Sequence, residues 1–392
     1  MTRKPLLAIV TSHPIQYNAP LFQLLTERNR VTCRVFYTWG KSAMADKFDP
    51  GFGKVIEWDL PLLDGYDYEV LENTAKERGS HHFKGIVNPD LIHRIDQFGP
   101  DAILVFGWAF QSHLKVLRHY RKKKVILFRG DSTQLDQASS IKKTIRSLFL
   151  KWIYRHIDVA LYVGKNNRDY YLNAGLKEDQ LVYAPHAIDN RRFSEDEEER
   201  ERQALLIREK IGIEKEAFVF LYAGKLEPVK NLPLLLKAFV LSGLGDKAKL
   251  VIVGNGVLES RLKSEYESRP GIVFMDFQNQ AQMPVIYRIS NLFILCSRSE
   301  TWGLSVNEAM ACSRAVLVSD HCGCAPDLVV NDKNGFLFKS EDVDDLKDKL
   351  LLAFNNRSRL EEMGKVSLEH IKGFSFGAVA QKIEETVEKR VL

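Results

Sequence analysis

Short apolar runs alternate with helix-compatible stretches along nearly the whole chain, and this rhythm constrains the fold more than any other feature. The runs Leu6–Thr11, Thr32–Tyr37, Ala102–Phe106, Val125–Arg129, Val159–Val163 and Leu181–Ala184 read as strands. They are short, continuous and apolar, as strands covered on both faces are. Stretches of roughly ten to fifteen residues between strands predict helices, and Ala19–Glu27, Ser112–Tyr120 and a long one from about Ser139 to His156 fit. Strand–helix–strand units of this kind build a parallel sheet through right-handed crossovers. The rhythm pauses over residues 40–88, which read as irregular, and again over Asp189–Lys215. That second pause is charge-dense and mostly acidic, and reads as a solvated connector leading into a surface helix. The alternation then restarts at Phe218–Ala223 and runs through Leu250–Val253, Ile272–Phe277, Leu292–Cys296, Ala315–Ser319 and Gly335–Phe338. Helices are expected at 232–241, 283–290 and 342–354, and a last one from Phe374 to Val391. Two doubly wound domains follow, 1–187 and 188–373.

A length of 392 residues agrees with two domains, and a hydrophobic fraction of 45% supplies ample core. The 56 basic and 51 acidic side chains leave a formal charge of +5, too small a surplus to demand a nucleic-acid partner. The five cysteines show no paired metal-ligand spacing, so buried free thiols in a reducing compartment are expected. Leu6–Val10 is too short for the apolar core of a signal peptide, and no run of about twenty apolar residues occurs. A cytoplasmic location is expected.

The densest chemistry lies in Ser297–Ala311, SRSETWGLSVNEAMA, directly after the apolar run Leu292–Cys296. Glu300 falls on the loop at the carboxyl end of that strand, and Glu308 falls in the helix that follows a turn at Gly303. Ser305 with Glu308 three residues on has the spacing of a capping box. In open α/β sheets ligands sit outside the carboxyl ends of the strands, and helix N-termini attract phosphate. After Phe218–Ala223 comes Gly224-Lys225-Leu-Glu-Pro-Val-Lys230-Asn231. The glycine lets backbone approach a ligand, and two lysines five apart can both reach a diphosphate.

Ser297–Ala311 resembles the E-x7-E signature of the retaining glycosyltransferases of the large GT4 family. It keeps the leading serines, Gly303 and Leu304, and the Glu308-Ala-Met-Ala311 that follows the spacer. The resemblance implies an α/β chain of GT-B fold, with two Rossmann-like doubly wound parallel-sheet domains facing a central cleft and residues 374–392 crossing back as a helix to the first domain. It implies a metal-independent hexosyltransferase with no cofactor, a nucleotide-diphosphate sugar as donor and retention at the anomeric carbon. Gly224, Lys225 and Lys230 resemble the family's donor-phosphate motif. The family more often has arginine first, so Lys225 keeps the charge but loses bidentate recognition. By the same resemblance Glu300 bonds hydroxyls of the donor sugar and Glu308 the ribose. The backbone of Gly303, Leu304 and Ser305 would stabilise the departing phosphate. Gly323–Gly335, GCAPDLVVNDKNG, is similar to the turn and Asn-Gly hairpin that close the donor site. Asp342-Val-Asp344 superficially matches a metal-binding DxD, but it opens an expected helix, where acids complement the dipole.

The first domain departs from the family. Its strand-one loop reads Ser12-His13-Pro14-Ile15-Gln16-Tyr17 instead of carrying a double glycine, and resembles a bacterial subset. Phe128-Arg129-Gly130-Asp131-Ser132 stands where the family usually has a histidine. Contacts to sugar and acceptor are then expected from His13, Gln16, Tyr17, Arg129 and Asp131. Three other readings stay open: His13 as a loop histidine bonded to backbone, Arg129 and Asp131 as a local ion pair, and His13 as the base of an inverting displacement. Two basic tracts, Arg118–Lys124 and Lys142–Arg155, interleave with Phe149, Trp152 and Tyr154. They could meet an anionic membrane, as suits a lipid-linked acceptor, but Ile141, Ile145, Leu148 and Trp152 share a helical face, which favours packing on the sheet. The expected activity is sugar transfer to a glycan or lipid-linked acceptor in surface polysaccharide or glycoconjugate assembly. A sugar-nucleotide 2-epimerase and a donor-binding subunit without turnover are the alternatives.

Overall fold

The computed structural model describes residues 3–41, 47–49, 54–56, 59–135 and 140–391. It divides into two compact units. One comprises Met1–Asp46, Leu60–His186 and Phe376–Leu392, and the other Lys47–Asp59 and Ala187–Ser375.

The first unit opens with β1 (Leu6–Thr11), α1 (Ala19–Arg28) and β2 (Thr32–Tyr37). A short antiparallel pair, β3 (Lys47–Asp49) and β4 (Lys54–Ile56), belongs to the second unit. The chain returns with β5 (Tyr68–Val70), α2 (Leu91–Phe98), β6 (Ala102–Phe106), α3 (Gln111–Tyr120), β7 (Val125–Arg129), α4 (Ser140–Tyr154), β8 (Val159–Tyr162), α5 (Lys165–Asn173) and β9 (Leu181–Tyr183). These strands form a seven-stranded parallel sheet in the order β5-β2-β1-β6-β7-β8-β9. Strand β5 lies inside the stretch expected to be irregular, because three half-exposed residues at an edge carry no readable period. The start of α4 expected near Ser139 lies outside the described residues.

The second unit contains α6 (Asn190–Ser194), α7 (Glu197–Lys210), β10 (Phe218–Ala223), α8 (Leu232–Ser242), β11 (Ala248–Val253), α9 (Glu259–Tyr266) and β12 (Ile272–Met275). It continues with α10 (Met283–Arg288), β13 (Leu292–Leu295), α11 (Leu304–Ala311), β14 (Ala315–Ser319), α12 (Ala325–Leu328), β15 (Gly335–Phe338), α13 (Val343–Asn355) and α14 (Leu360–Ile371). Its six parallel strands run β12-β11-β10-β13-β14-β15. Phe220, Tyr222, Leu235, Leu236 and Phe239 belong to one buried cluster that joins this sheet to α8. Truncating Phe239 to alanine there would cost about 3–5 kcal/mol. Asp342 caps α13, accepting a hydrogen bond from the Asp345 amide at 3.1 Å. Helix α14 was not expected, and its buried Leu360, Met363, Ser367 and Ile371 form the stripe that holds it.

The last helix, α15 (Phe376–Val391), packs on α1 within the first unit. Glu384, its side chain fully buried, accepts from Arg28 Nε and Nη2 at 3.0 and 2.7 Å, and Arg30 pairs with Glu388. A buried carboxylate needs such a fork of donors to offset its desolvation.

Two local expectations fail. The helix after β13 starts at Leu304 with Gly303 as its N-cap, and no side chain caps it. Ser305 therefore sits inside the first turn, and the capping box does not form. Among the described side chains of α4 the buried ones are Leu150, Ile153 and Tyr154, while Ile145 and Leu148 are 66% and 65% exposed. Ile145 and Leu148 of the face expected to pack on the sheet thus point away from it and Trp152 is half-buried, because a helix apolar on two sides cannot bury both against one layer. The side chain of Ile141 lies outside the described residues.

Candidate active site

In the second unit the strand order reverses direction between β10 and β13, so the connections leaving these neighbours diverge and open a crevice at their carboxyl ends. The loops at that edge are laced together by backbone. Gly224 donates its amide to Val253 at 3.0 Å and Leu226 to Asn255 at 3.0 Å, tying the loop after β10 to the one after β11. Arg298 donates to the Val229 carbonyl at 2.8 Å, which joins the loop after β13 to the turn Pro228–Lys230. Beyond it the Glu300 amide donates to His321 at 3.2 Å, Gly323 to Glu300 at 2.9 Å and Cys324 to Trp302 at 3.0 Å. Only glycine fits at 323, where a Cβ would stand 1.8 Å from the Thr301 carbonyl oxygen. Gly303 takes φ of +102°, a left-handed turn that aims the chain into α11.

This lacing brings Lys230 and Glu300, seventy positions apart, into a direct ion pair across the switch point, each side chain about one-fifth exposed at 22% and 19%. Ser297 Oγ also reaches Glu300 Oε2, at 3.4 Å. The Lys225 carbonyl accepts from Tyr222 Oη at 2.8 Å, and the lysine side chain is half-buried. Glu308, on α11, is 3% exposed and accepts a 2.6 Å hydrogen bond from Tyr287 Oη of α10. Tyr287 stands in an apolar helix with no sequence signal of a polar role. Asn334 is fully buried and holds the turn before β15, donating to Leu328 O at 2.8 Å and accepting from the Val330 amide at 2.8 Å.

The first unit has its own switch point, between β1 and β6. His13 lies in the loop after β1 with Nδ1 2.9 Å from Ser12 Oγ and its ring edge-on to Trp39 at 4.8 Å. Gln16 is buried and Tyr17 half-buried in the same loop. Arg129 ends β7 buried, and its Nη1 and Nη2 donate to the Ala184 and Pro185 carbonyls at 2.8 and 2.9 Å. Burial lowers its pKa to about 10, opposed by Tyr171 and Asp131. Asp131 follows, half-buried. His186, which the sequence reading passed over, belongs with them. Burial pushes it down to about 4, Arg129 pushes the same way and Asp131 opposes. Its place just past the carboxyl end of β9 was the signal that could have found it. His113, buried on α3, donates from Nδ1 to the Phe106 and Gly107 carbonyls at 3.0 and 3.1 Å.

All five cysteines are buried and free. Burial raises Cys33 and Cys296 to about 12 and Cys312 to about 11, and lifts Cys322 and Cys324 well above the usual thiol value. They are packing groups and not nucleophiles.

Residues 204–369, inside the second unit, match the family described as glycosyl transferases group 1. A sulfoquinovosyl transferase of Arabidopsis thaliana is 30% identical over 173 residues, which are 43% of this chain and 33% of that protein. A Campylobacter jejuni N,N'-diacetylbacillosaminyl-diphospho-undecaprenol alpha-1,3-N-acetylgalactosaminyltransferase is 25% identical over 258 residues, 63% of this chain and 64% of that one. The chain thus spans from a third to somewhat under two thirds of these curated relatives. Among solved structures, Anabaena HepE in complex with UDP and glucose superposes with a TM-score of 0.72 at 15% identity, covering 98% of this chain and all (100%) of that one. The chain therefore has the GT-B glycosyltransferase fold, and a segment of its second unit resembles the glycosyl transferases group 1 family.

Proposed function

We propose that this chain transfers a sugar from a nucleotide-diphosphate sugar to an acceptor hydroxyl, with retention of anomeric configuration and without a metal ion. The observation that carries the reading is the Lys230–Glu300 pair across the β10/β13 switch point, beside the start of α11. A diphosphate arriving there draws Lys230 and Lys225 to its oxygens as point charges. Glu300, released from the lysine, accepts hydrogen bonds from hydroxyls of the donor sugar. Gly224 permits close backbone approach, and Gly303, Leu304 and Ser305 present the helix start to the phosphate. Glu308, oriented by Tyr287, takes the ribose hydroxyls.

In the transfer, the bond from the anomeric carbon to the diphosphate breaks and the acceptor oxygen bonds to that carbon on the same face. The acceptor proton passes to the departing phosphate oxygen. Charge develops on the diphosphate, and preorganised lysines and amides stabilise it most at that moment. His13, Gln16, Tyr17 and Asp131 would orient the acceptor. Arg129, bonded to the Ala184 and Pro185 carbonyls, would hold the segment after β9 in place and leave the sugar to its neighbours. The nucleotide-sugar reading is supported by relatives named for sugar transfer and by HepE, whose structure holds UDP and glucose. A glycan or lipid-linked acceptor in polysaccharide or glycoconjugate assembly is the corresponding proposal, on the model of the Campylobacter relative.

Incubation with a panel of labelled sugar nucleotides, followed by proton NMR of the fresh product, tests it. Net transfer with the donor's anomeric configuration and full activity in EDTA is expected. An inverted linkage, an epimerised donor without transfer, or loss of activity on chelation would each refute a named part.

A further inference from the structure

Helix α4 presents to solvent an apolar surface that the first unit's sheet leaves uncovered. Ile145, Leu148 and Phe149 are 66%, 65% and 46% exposed. Phe149 stacks on Trp152 with centroids 5.9 Å apart and planes at 19°, and Trp108 meets Phe149 edge-on at 5.7 Å. Exposed aliphatics thus adjoin an aromatic patch. The surroundings are cationic. Between Ile145 and Ile157 stand Arg146, Lys151 and Arg155, with no acidic residue. Arg118 from α3 lies 5.6 Å from the Trp152 ring centroid and Arg155 lies 5.9 Å from it. The following turn adds Arg121, whose charge also reaches His156. Burial lowers His156 to about 4, and Arg121, Arg155 and Arg118 add to that, so their fields converge on one spot.

An aqueous surface gains nothing from three large exposed apolar side chains, and a protein partner would have to match them with acids at several points. A bilayer with anionic headgroups meets both demands with one surface. Short aliphatics and aromatics enter the headgroup boundary while the flanking cations lie over phosphates. We propose that α4 docks the first unit onto an anionic phospholipid surface. Ile145, Leu148 and Phe149 insert, and Arg118, Arg146, Lys151 and Arg155 supply the charge. The proposal stands on α4 and holds whether or not the transfer reaction above is correct.

The test is co-sedimentation of the full chain with vesicles of phosphatidylcholine alone and of phosphatidylcholine mixed with phosphatidylglycerol. Binding to the mixed vesicles only, weakened by added salt, is expected. Ile145→Asp with Leu148→Asp lowers the partition coefficient by ~10-fold or more, with the thermal midpoint unchanged because both side chains are exposed. Should that variant misfold, Arg146→Glu with Lys151→Glu reads the electrostatic half, again as lost binding. Undiminished binding by either folded variant, or equal binding to both vesicle types, overturns the proposal. So does a wild-type dimer that the aspartate variant makes monomeric, since a second copy of the chain would then cover this face.

Discussion

The carboxyl edges of the two sheets use charged side chains in opposite ways. In the second unit, backbone hydrogen bonds lace the loops after β10, β13 and β14, and Lys230 and Glu300 are left facing each other at the strand ends. In the first, backbone bonds also join neighbouring loops, Trp39 to Ser12 and Gly107 to Arg129, each at 2.9 Å, but a charged side chain is drawn into the lacing: Arg129 spends two guanidinium nitrogens on the carbonyls of Ala184 and Pro185. A loop held by its own backbone leaves its charged groups to a ligand. A loop held by a side chain consumes that group, whatever its chemistry suggests.

The contrast can be broken at several points. The largest effect is expected from Glu300→Gln, which keeps the shape and removes the charge. Turnover should fall by ~10²-fold or more with nucleotide affinity and melting temperature nearly intact; unaltered turnover would remove Glu300 from the site. Arg129→Met should do the reverse. Two buried carbonyls lose their donors, so unfolding free energy drops by about 2–3 kcal/mol, while turnover per folded molecule changes little. If denaturant titration instead finds full stability and turnover is lost, Arg129 belongs to the site and the contrast fails.

A third test uses acid. His113 titrates at about 4 in the folded chain, below the usual 6.5, chiefly because burial disfavours its charged form. The unfolded chain therefore takes up the proton first as pH falls. The stability this histidine contributes is complete above about pH 6.5 and is lost progressively toward pH 4, by about 2 kcal/mol at pH 5. His113→Gln should flatten that part of the pH–stability curve, and a curve of unchanged slope would refute the assignment. The smallest effect is expected from Lys230→Ala, about tenfold weaker nucleoside-diphosphate binding, or about 1.4 kcal/mol. Calorimetry should show the loss at the phosphates, with the nucleoside alone bound as before.

Much of this molecule was legible beforehand because the relevant signals are local. Buried parallel strands read as continuous apolar runs, and twelve of the thirteen strands in the two large sheets fall on such runs. The exception is β5, whose three residues borrow their order from β2. Glu300 and Lys230 could be singled out because each follows a strand and stands near a glycine. Their meeting depended on the order of strands in the sheet, which no single run encodes. Tyr287 was invisible for a related reason, since its hydroxyl has a role only once α10 lies against α11.

The sequence by itself determined two parallel-sheet units, the strand-end placement of the candidate donor residues and the burial of every cysteine. Short-range periodicity and composition suffice for these. Tertiary structure alone decided which of two apolar faces of α4 is covered, that Gly303 and not Ser305 starts α11, and that Arg129 is spent on backbone. Each of these is a choice among locally equivalent options, settled by what stands opposite: a sheet that covers one side, a carbonyl within reach, a loop from a neighbouring strand.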